Sequence, residues 1–352
     1  MNPMDLARPE IRALEAYASA RALADSAGIL LNANENPWPP PNDDGMALNR
    51  YPDPQPVELK NRLAERYEVS PDQLLITRGS DEGIDLLVRA FCRASVDSVL
   101  TCPPCFGMYA LSARIQGARV IEVPLIEGEN GWKLDEAGLL EAPPCRLTFL
   151  CTPNNPTGNR IESDLIAGLA NRVADHGLVV VDEAYVEFTD APSASRLLDA
   201  HPNLVVLRTL SKAFGLAGCR IGSVLGHSDL IGLLKRIIAP YPLPTPSIRA
   251  ALAALDATDD RVEQLITLRR QKARLVEVLS THPAIRRLWP GEANFILIRV
   301  ASATDLVAAA ATAGIRLRNQ SSQQGLDGCV RITIGTPEET SALIHFFKSW
   351  NP

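Results

Sequence analysis

A lysine, a serine and an arginine stand close together in the run Thr209-Leu210-Ser211-Lys212-Ala213-Phe214-Gly215-Leu216-Ala217-Gly218-Cys219-Arg220. A lysine amine condenses with a carbonyl to form an imine, and Lys212 is the candidate for that chemistry. The Ser211 hydroxyl and the Arg220 guanidinium can hold a dianion beside it, the guanidinium through charge-assisted hydrogen bonds. Read alone, the run also suits a surface lysine in a glycine-containing turn. Asp182, in Asp182-Glu183-Ala184-Tyr185, is the second candidate. A buried carboxylate stabilises a neighbouring cation, so Asp182 could keep a pyridine nitrogen protonated. Tyr185, three residues on, could reach the hydroxyl of the same ring. The plainer alternative is a helix-capping aspartate. Asn154-Asn155-Pro156-Thr157-Gly158 offers an amide donor for a phenolate-like oxygen, or simply a turn. In Arg78-Gly79-Ser80-Asp81-Glu82-Gly83, Ser80 or Asp81 is expected to cap a following helix. Its first amides would face outward as a phosphate site, or serve only as an N-terminus.

These runs need a scaffold that brings them to one edge. Short apolar runs at Leu74–Thr77, Val99–Cys102, Val120–Val123, Leu147–Cys151, Leu178–Asp182, Leu204–Arg208 and Ile221–Leu225 read as strands buried on both faces. Helical periodicity over Val57–Tyr67 and Glu82–Cys92 alternates with them. The pattern predicts an α/β fold, a mostly parallel sheet flanked by helices. Each chemical run follows a predicted strand, at the edge where open α/β sheets gather ligands. Four prolines between Pro240 and Pro246 interrupt regular structure. Beyond them a helix over Ser247–Ser280, broken near Thr258, precedes a smaller α+β unit. Its strands are expected at Asn294–Val300, Ile315–Arg318 and Val330–Ile334, and its helices at Asp305–Ala313 and Glu338–Trp350. Residues 1–30, with a helix over Arg8–Leu23, are expected to join this small domain as an N-terminal arm. Residues 31–240 would form the large domain and 241–352 the small one.

The 352 residues suffice for two domains with sizeable cores. A formal charge of −6 argues against nucleic-acid or anionic-membrane partners, so an anionic ligand must meet a local cationic pocket. Charged residues from Asp5 to Asp25 leave no signal-peptide core, and no stretch reads as a membrane span. Seven cysteines without framework spacing fit reduced thiols in a cytoplasm. Cys102-Pro103-Pro104-Cys105 lacks a second ligand pair at matched spacing, so no metal is expected. His176, His201, His227, His282 and His345 belong to no catalytic constellation.

Taken together, the four runs resemble the fold-type I aminotransferases that use pyridoxal 5′-phosphate, the aspartate aminotransferase superfamily. Within it the chain is similar to the histidinol-phosphate aminotransferases along nearly its whole length. The narrower resemblance rests on Leu31-Asn32-Ala33-Asn34-Glu35-Asn36-Pro37, Arg50-Tyr51-Pro52 and Pro103-Pro104-Cys105-Phe106-Gly107-Met108-Tyr109. Ala239-Pro240-Tyr241-Pro242-Leu243, Arg318-Asn319-Gln320 and Arg331-Ile332-Thr333-Ile334-Gly335 extend it. The resemblance implies that Lys212 forms the imine with the cofactor and moves the proton at the substrate α-carbon. It puts Asp182 on the pyridinium nitrogen and Tyr185 and Asn155 on the ring oxygen. Ser80, Asp81, Ser211 and Arg220 would surround the cofactor phosphate. Phe106 fills a position usually held by a tyrosine stacked on the ring, keeping the stacking and losing the hydroxyl. Tyr51 would reach the phosphate of a neighbouring subunit, which implies a homodimer with shared active sites. Tyr17, Arg318 and Arg331, with Asn155, would bind the substrate at its phosphate end. The implied reaction is transamination between histidinol phosphate and 2-oxoglutarate in histidine biosynthesis, between small molecules only. Aminotransferases for aromatic or other amino acids and threonine-phosphate decarboxylases share much of this pattern. A non-catalytic regulator built on the same fold would be expected to carry an added DNA-binding segment.

Overall fold

Short runs rich in valine, leucine and isoleucine become the strands of two main sheets in the computed structural model, which describes residues 2–17, 19–20, 28–129 and 131–351. In chain order the strands are β1 (Leu74–Thr77), β2 (Ser98–Thr101), β3 (Arg119–Glu122), β4 (Ile126–Gly128), β5 (Gly131–Lys133), β6 (Leu147–Cys151) and β7 (Leu178–Asp182). They continue with β8 (Leu204–Thr209), β9 (Gly222–Gly226), β10 (Arg287–Trp289), β11 (Phe295–Arg299), β12 (Arg318–Asn319) and β13 (Cys329–Thr333). The large sheet has the order β1-β9-β8-β7-β6-β2-β3. Only β9 runs antiparallel to its neighbours β1 and β8; the other pairs are parallel. The expected α/β class is therefore what the chain forms.

Every residue of β6, β7 and β8 is buried. Alternate side chains serve opposite faces: Val179 and Val181 enter one core cluster, Leu178 and Val180 the other. Apolar cover on both faces is why these strands read as continuous rather than alternating runs. The parallel β6, β7 and β8 then release Cys151, Asp182 and Thr209 at the same sheet edge.

The smaller sheet has the order β10-β11-β13-β12, all antiparallel. Phe295 and Leu297 of β11 pack into the core shared with the large sheet. Ile296 and Ile298 face Leu275, Leu306 and Phe347 on three helices behind it. The break in the long helix falls as expected, between Thr245–Asp256 and Thr258–Ser280.

Three expectations need correction. The strand expected at Ile315–Arg318 pairs only over Arg318–Asn319, while Ile315 and Leu317 pack on the core without joining the ladder. The hairpin β4–β5 and the strand β10 were not anticipated, because three-residue strands are too short to show a period. The described start of the N-terminal arm, through Ile11, packs on the large unit instead of the small one. Leu6, Ala7 and Ile11 share a core cluster with Phe91 and Leu230, and the Arg8 amide donates to Ala90 O at 3.0 Å. The helix expected at Arg8–Leu23 covers only Pro9–Arg12 among the described residues, and residues 21–23 lie outside them. Leu14 and Tyr17 are exposed and add no apolar contact that would extend it. Among the described residues no helix is long and apolar enough to cross a membrane.

Candidate active site

The ends of β6, β7 and β8, the start of the helix Gly79–Phe91 and the pair β12–β13 enclose a cavity of about 650 Å³. All of the sequence candidates except Tyr17 and Tyr51 line it.

Asp182 closes β7 and is buried. Tyr109 Oη donates to its Oδ2 at 2.7 Å and the Ala184 amide to its Oδ1 at 3.1 Å. Burial pushes the Asp182 carboxyl up to about 6, against the pull of those two hydrogen bonds. Tyr109 is itself fully buried, and its phenol is pushed well above the usual range by burial and by the Asp182 charge. It therefore stays protonated and donating. Tyr109 stacks on Phe149 with centroids 4.8 Å apart and meets Phe106 edge-on at 5.7 Å. In the sequence Tyr109 stands only at the end of the Pro103–Tyr109 run; its three-residue spacing from Phe106 at a helix start is the one local sign that they share a face.

Lys212 follows β8 and opens on the cavity, its amine 5.5 Å from the centre of the Tyr185 ring. Partial burial lowers its pKa, and the Arg331 charge adds to that, while Asp182 and Asp81 oppose it. Tyr185 sets its ring edge-on against Phe295 at 5.3 Å, and burial raises its phenol. The two neighbouring asparagines divide their work. Asn154 Nδ2 donates to Pro104 O at 2.9 Å and Thr157 Oγ1 at 2.6 Å, tying two loops together, while Asn155 lines the cavity.

At one end of the cavity, Arg220 donates to Asp81 Oδ2 at 2.9 Å and to Ser211 Oγ at 3.3 Å. Thr209 Oγ1 accepts from the Ser211 amide at 3.1 Å and fixes that turn. Ser80 and Asp81 are not caps as expected: the helix begins at Gly79, and both residues lie inside its first turn. Its N-cap residue, Arg78, makes no side-chain capping bond. Gly79, at φ +74°, and Gly222 permit the close approach. A Cβ on Gly79 would run into the Arg220 guanidinium, and one on Gly222 into the Gly79–Ser80 backbone. This is a glycine-lined cradle of first-turn amides, a hydroxyl and a guanidinium, suited to a phosphate.

At the other end, Arg318 and Arg331 face each other as register partners on β12 and β13. Arg331 donates to Asn155 Oδ1, and its guanidinium lies over the Phe295 ring at 5.4 Å. Burial, with the Arg318 charge, lowers the Arg331 pKa. Two adjacent guanidiniums are suited to a second anion. Gln320 and Gln323, unassigned from sequence, line the same wall, and Gln323 Nε2 donates to Gln320 Oε1 at 2.9 Å. Cys105 also lines the cavity; burial pushes its thiol up to about 12 and raises Cys102 as well. Both are neutral thiols.

Tyr51 stacks on Tyr241 at 4.4 Å, and its amide donates to Glu35 Oε1 at 2.7 Å. Tyr51 and Tyr17 lie on the surface, outside the cavity lining. The remaining donor set fits pyridoxal 5′-phosphate: a buried carboxylate for a ring cation, an amine for a carbonyl, and the Gly79–Arg220 cradle for a dianion.

Residues 26–347 match the aminotransferase class I and II family. A histidinol-phosphate aminotransferase of Xylella fastidiosa (strain 9a5c) is 45% identical over 349 residues, covering 97% of this chain and 95% of the relative. The crystal structure of histidinol-phosphate aminotransferase from Sinorhizobium meliloti, in complex with pyridoxal 5′-phosphate, is 25% identical with a TM-score of 0.76, covering 90% of each chain. The L-threonine-O-3-phosphate decarboxylase from Porphyromonas gingivalis shares the fold, with a TM-score of 0.74 at 23% identity, over 89% of this chain and 96% of that one.

The raised Asp182 pKa has a sign that can be measured. In the ligand-free protein the folded state binds the proton more tightly than the unfolded chain. The stability this brings is fully present below the unfolded value of 3.8 and is lost as pH rises through about 6. Relative to Asp182→Asn, the ligand-free parent should lose about 2–3 kcal/mol over that window. Urea denaturation across pH reads this difference. A gap between variant and parent that does not change with pH would contradict the burial assigned to Asp182.

Proposed function

The chain belongs to the class I and II aminotransferases, and on that footing we propose that it transfers an amino group between histidinol phosphate and 2-oxoglutarate, giving imidazole-acetol phosphate and glutamate. Pyridoxal 5′-phosphate is its cofactor. The observation that carries the substrate reading is Arg318 beside Arg331, a second cationic group lining the same cavity as Lys212 and Arg220.

When bound, the cofactor supplies an electron sink for the charge that develops at the substrate α-carbon. Asp182 accepts the ring N–H and holds that proton in place, while Tyr109 and the Ala184 amide fix the carboxylate. Tyr185 and Asn155 serve the ring oxygen, and Phe106 covers a ring face. The first-turn amides of Ser80 and Asp81, with Ser211 and Arg220, hold the phosphate. Lys212 Nζ anchors the cofactor and is the base at the substrate α-carbon. Its lowered pKa raises the share of neutral amine that can take that proton at a given pH. Arg331, Arg318 and Asn155 hold the substrate phosphate; Tyr17, outside this cavity, would reach that end only from a neighbouring subunit.

The active form proposed is a homodimer. The segment that carries Tyr51 also exposes Ile29 (90%), Leu31 (85%) and Trp38 (75%). Exposed apolar surface of this kind is what a partner covers. A second copy would do so and bring Tyr51 to the neighbour's cofactor phosphate.

Two experiments test this reading. Purified protein is offered histidinol phosphate, histidinol, phenylalanine and threonine phosphate, with 2-oxoglutarate, beside Lys212→Ala and Arg331→Ala. Turnover should favour histidinol phosphate, disappear with the visible absorbance in Lys212→Ala, and show KM raised about tenfold or more in Arg331→Ala. Histidinol reacting as well as its phosphate would remove the substrate assignment. Separately, mixed Tyr51→Phe and Lys212→Ala subunits should yield sites of parental cofactor affinity, because one heterodimer site then holds both intact residues. A fully active monomer would contradict shared sites.

A further inference from the structure

Outside the cavity, one carboxylate joins the large unit to the small sheet. Glu127 lies on β4, in a hairpin held to the large unit by buried Val123, Leu125 and Trp132. The Leu125 amide donates to Pro103 O at 2.7 Å, in the loop that leads to Phe106. Across the gap, Arg287 and Arg299 are register partners on β10 and β11. Glu127 Oε1 accepts from Arg287 Nη1 at 3.1 Å and from Arg299 Nη1 at 3.0 Å. Glu127 Oε2 accepts from Arg299 Nη2 at 3.0 Å, completing a two-pronged pair. Arg299 Nη2 donates again, to Gly325 O at 2.9 Å. Arg287 donates to the hairpin carbonyls of Gly128 and Glu129.

Aromatic packing backs the ions. Both guanidiniums lie over Trp289, at 5.3 and 5.0 Å, and Trp132 of the hairpin packs on Trp289 at 6.0 Å. Gly325 sits close against Trp132, where a Cβ would come within 3.2 Å of the indole. Gly325 belongs to the segment between Arg318 and Arg331, which also places Gln320 and Gln323 on the cavity wall.

We infer that Glu127 is a positioning residue for the anionic end of the substrate. Through Arg299 and Gly325 it sets where the β12–β13 wall stands against Lys212 and Asp182. Without its charge, two guanidiniums face each other on adjacent strands and repel, and the fork that holds Arg299 toward Gly325 loosens. Asp182, Ser211, Lys212 and Arg220 lie on the large sheet and its adjoining loops and make no direct contact with Glu127. Small displacements of a substrate-holding group have large kinetic consequences, so the effect belongs to substrate binding.

The identity of the anion rests on the function proposed above; the clamp itself does not. The test is Glu127→Gln, which keeps the shape and removes the charge. KM for histidinol phosphate should rise about tenfold, with kcat and pyridoxal 5′-phosphate affinity within about twofold of the parent. The half-reaction with glutamate, followed by cofactor absorbance, should show the same split, because its carboxylate meets the same arginines. Parent protein inactive on histidinol phosphate would sink the substrate reading and leave the glutamate arm to decide the clamp. Unchanged KM for both amino donors would overturn the inference. So would a parallel fall in KM-independent turnover and cofactor affinity, the mark of a scaffold residue. If Glu127→Gln yields no folded holoenzyme, Arg299→Lys decides on the same criteria, since a single ammonium cannot reproduce the fork and the Gly325 bond.

Discussion

Asp182 is held ionised against burial, and the architecture around it follows from how that is done. A carboxylate inside the protein needs hydrogen bonds from fixed donors and, at best, a cation. The fold provides two neutral donors, the Tyr109 phenol and the Ala184 amide. Both are rigid. Tyr109 is stacked on Phe149 of β6, and Ala184 is only two residues beyond the strand end. Two neutral donors leave the carboxyl pKa raised to about 6, so the pocket favours a ligand that brings its own positive charge. A protonated pyridine nitrogen is such a charge, and the site is shaped to receive it.

The parallel order of β6, β7 and β8 puts the other groups within reach of that carboxylate. Asn155 follows β6 and Lys212 follows β8, so both flank Asp182 without any long loop. The antiparallel β9 then returns against the start of the helix Gly79–Phe91, where Gly79 and Gly222 allow backbone and guanidinium to crowd together. A chain of net charge −6 thus concentrates its cations locally, with Arg220 at one end of the cavity and Arg318 and Arg331 at the other. The second end lies on the smaller sheet, so its distance from Lys212 depends on contacts between units. The Glu127 bridge is one of them.

Much of this was legible because it is local. Strands covered on both faces read as unbroken apolar runs, and β1, β6 and β7 begin and end where those runs do. Lys212 and Asn155 stood out because each follows such a run, and Asp182 because it closes one. What escaped depends on distant partners. Tyr109 meets Asp182 across 73 residues and Glu127 meets Arg299 across 172, and neither pairing leaves a local mark. The helix expected over Arg8–Leu23 marked an arm without saying which core would take Leu6 and Ile11. The start of the helix at Gly79 was missed because its N-cap makes no side-chain bond, so Ser80 and Asp81 read as caps.

The central claim is that Asp182 keeps a proton on the cofactor ring nitrogen. The direct measurement is the nitrogen-15 NMR shift of the pyridine nitrogen in labelled pyridoxal 5′-phosphate bound to the parent protein and to Asp182→Asn, near neutral pH. The account predicts a protonated nitrogen in the parent and an unprotonated one in the variant. An unprotonated nitrogen in the parent, or the same protonated shift in both proteins, would contradict it.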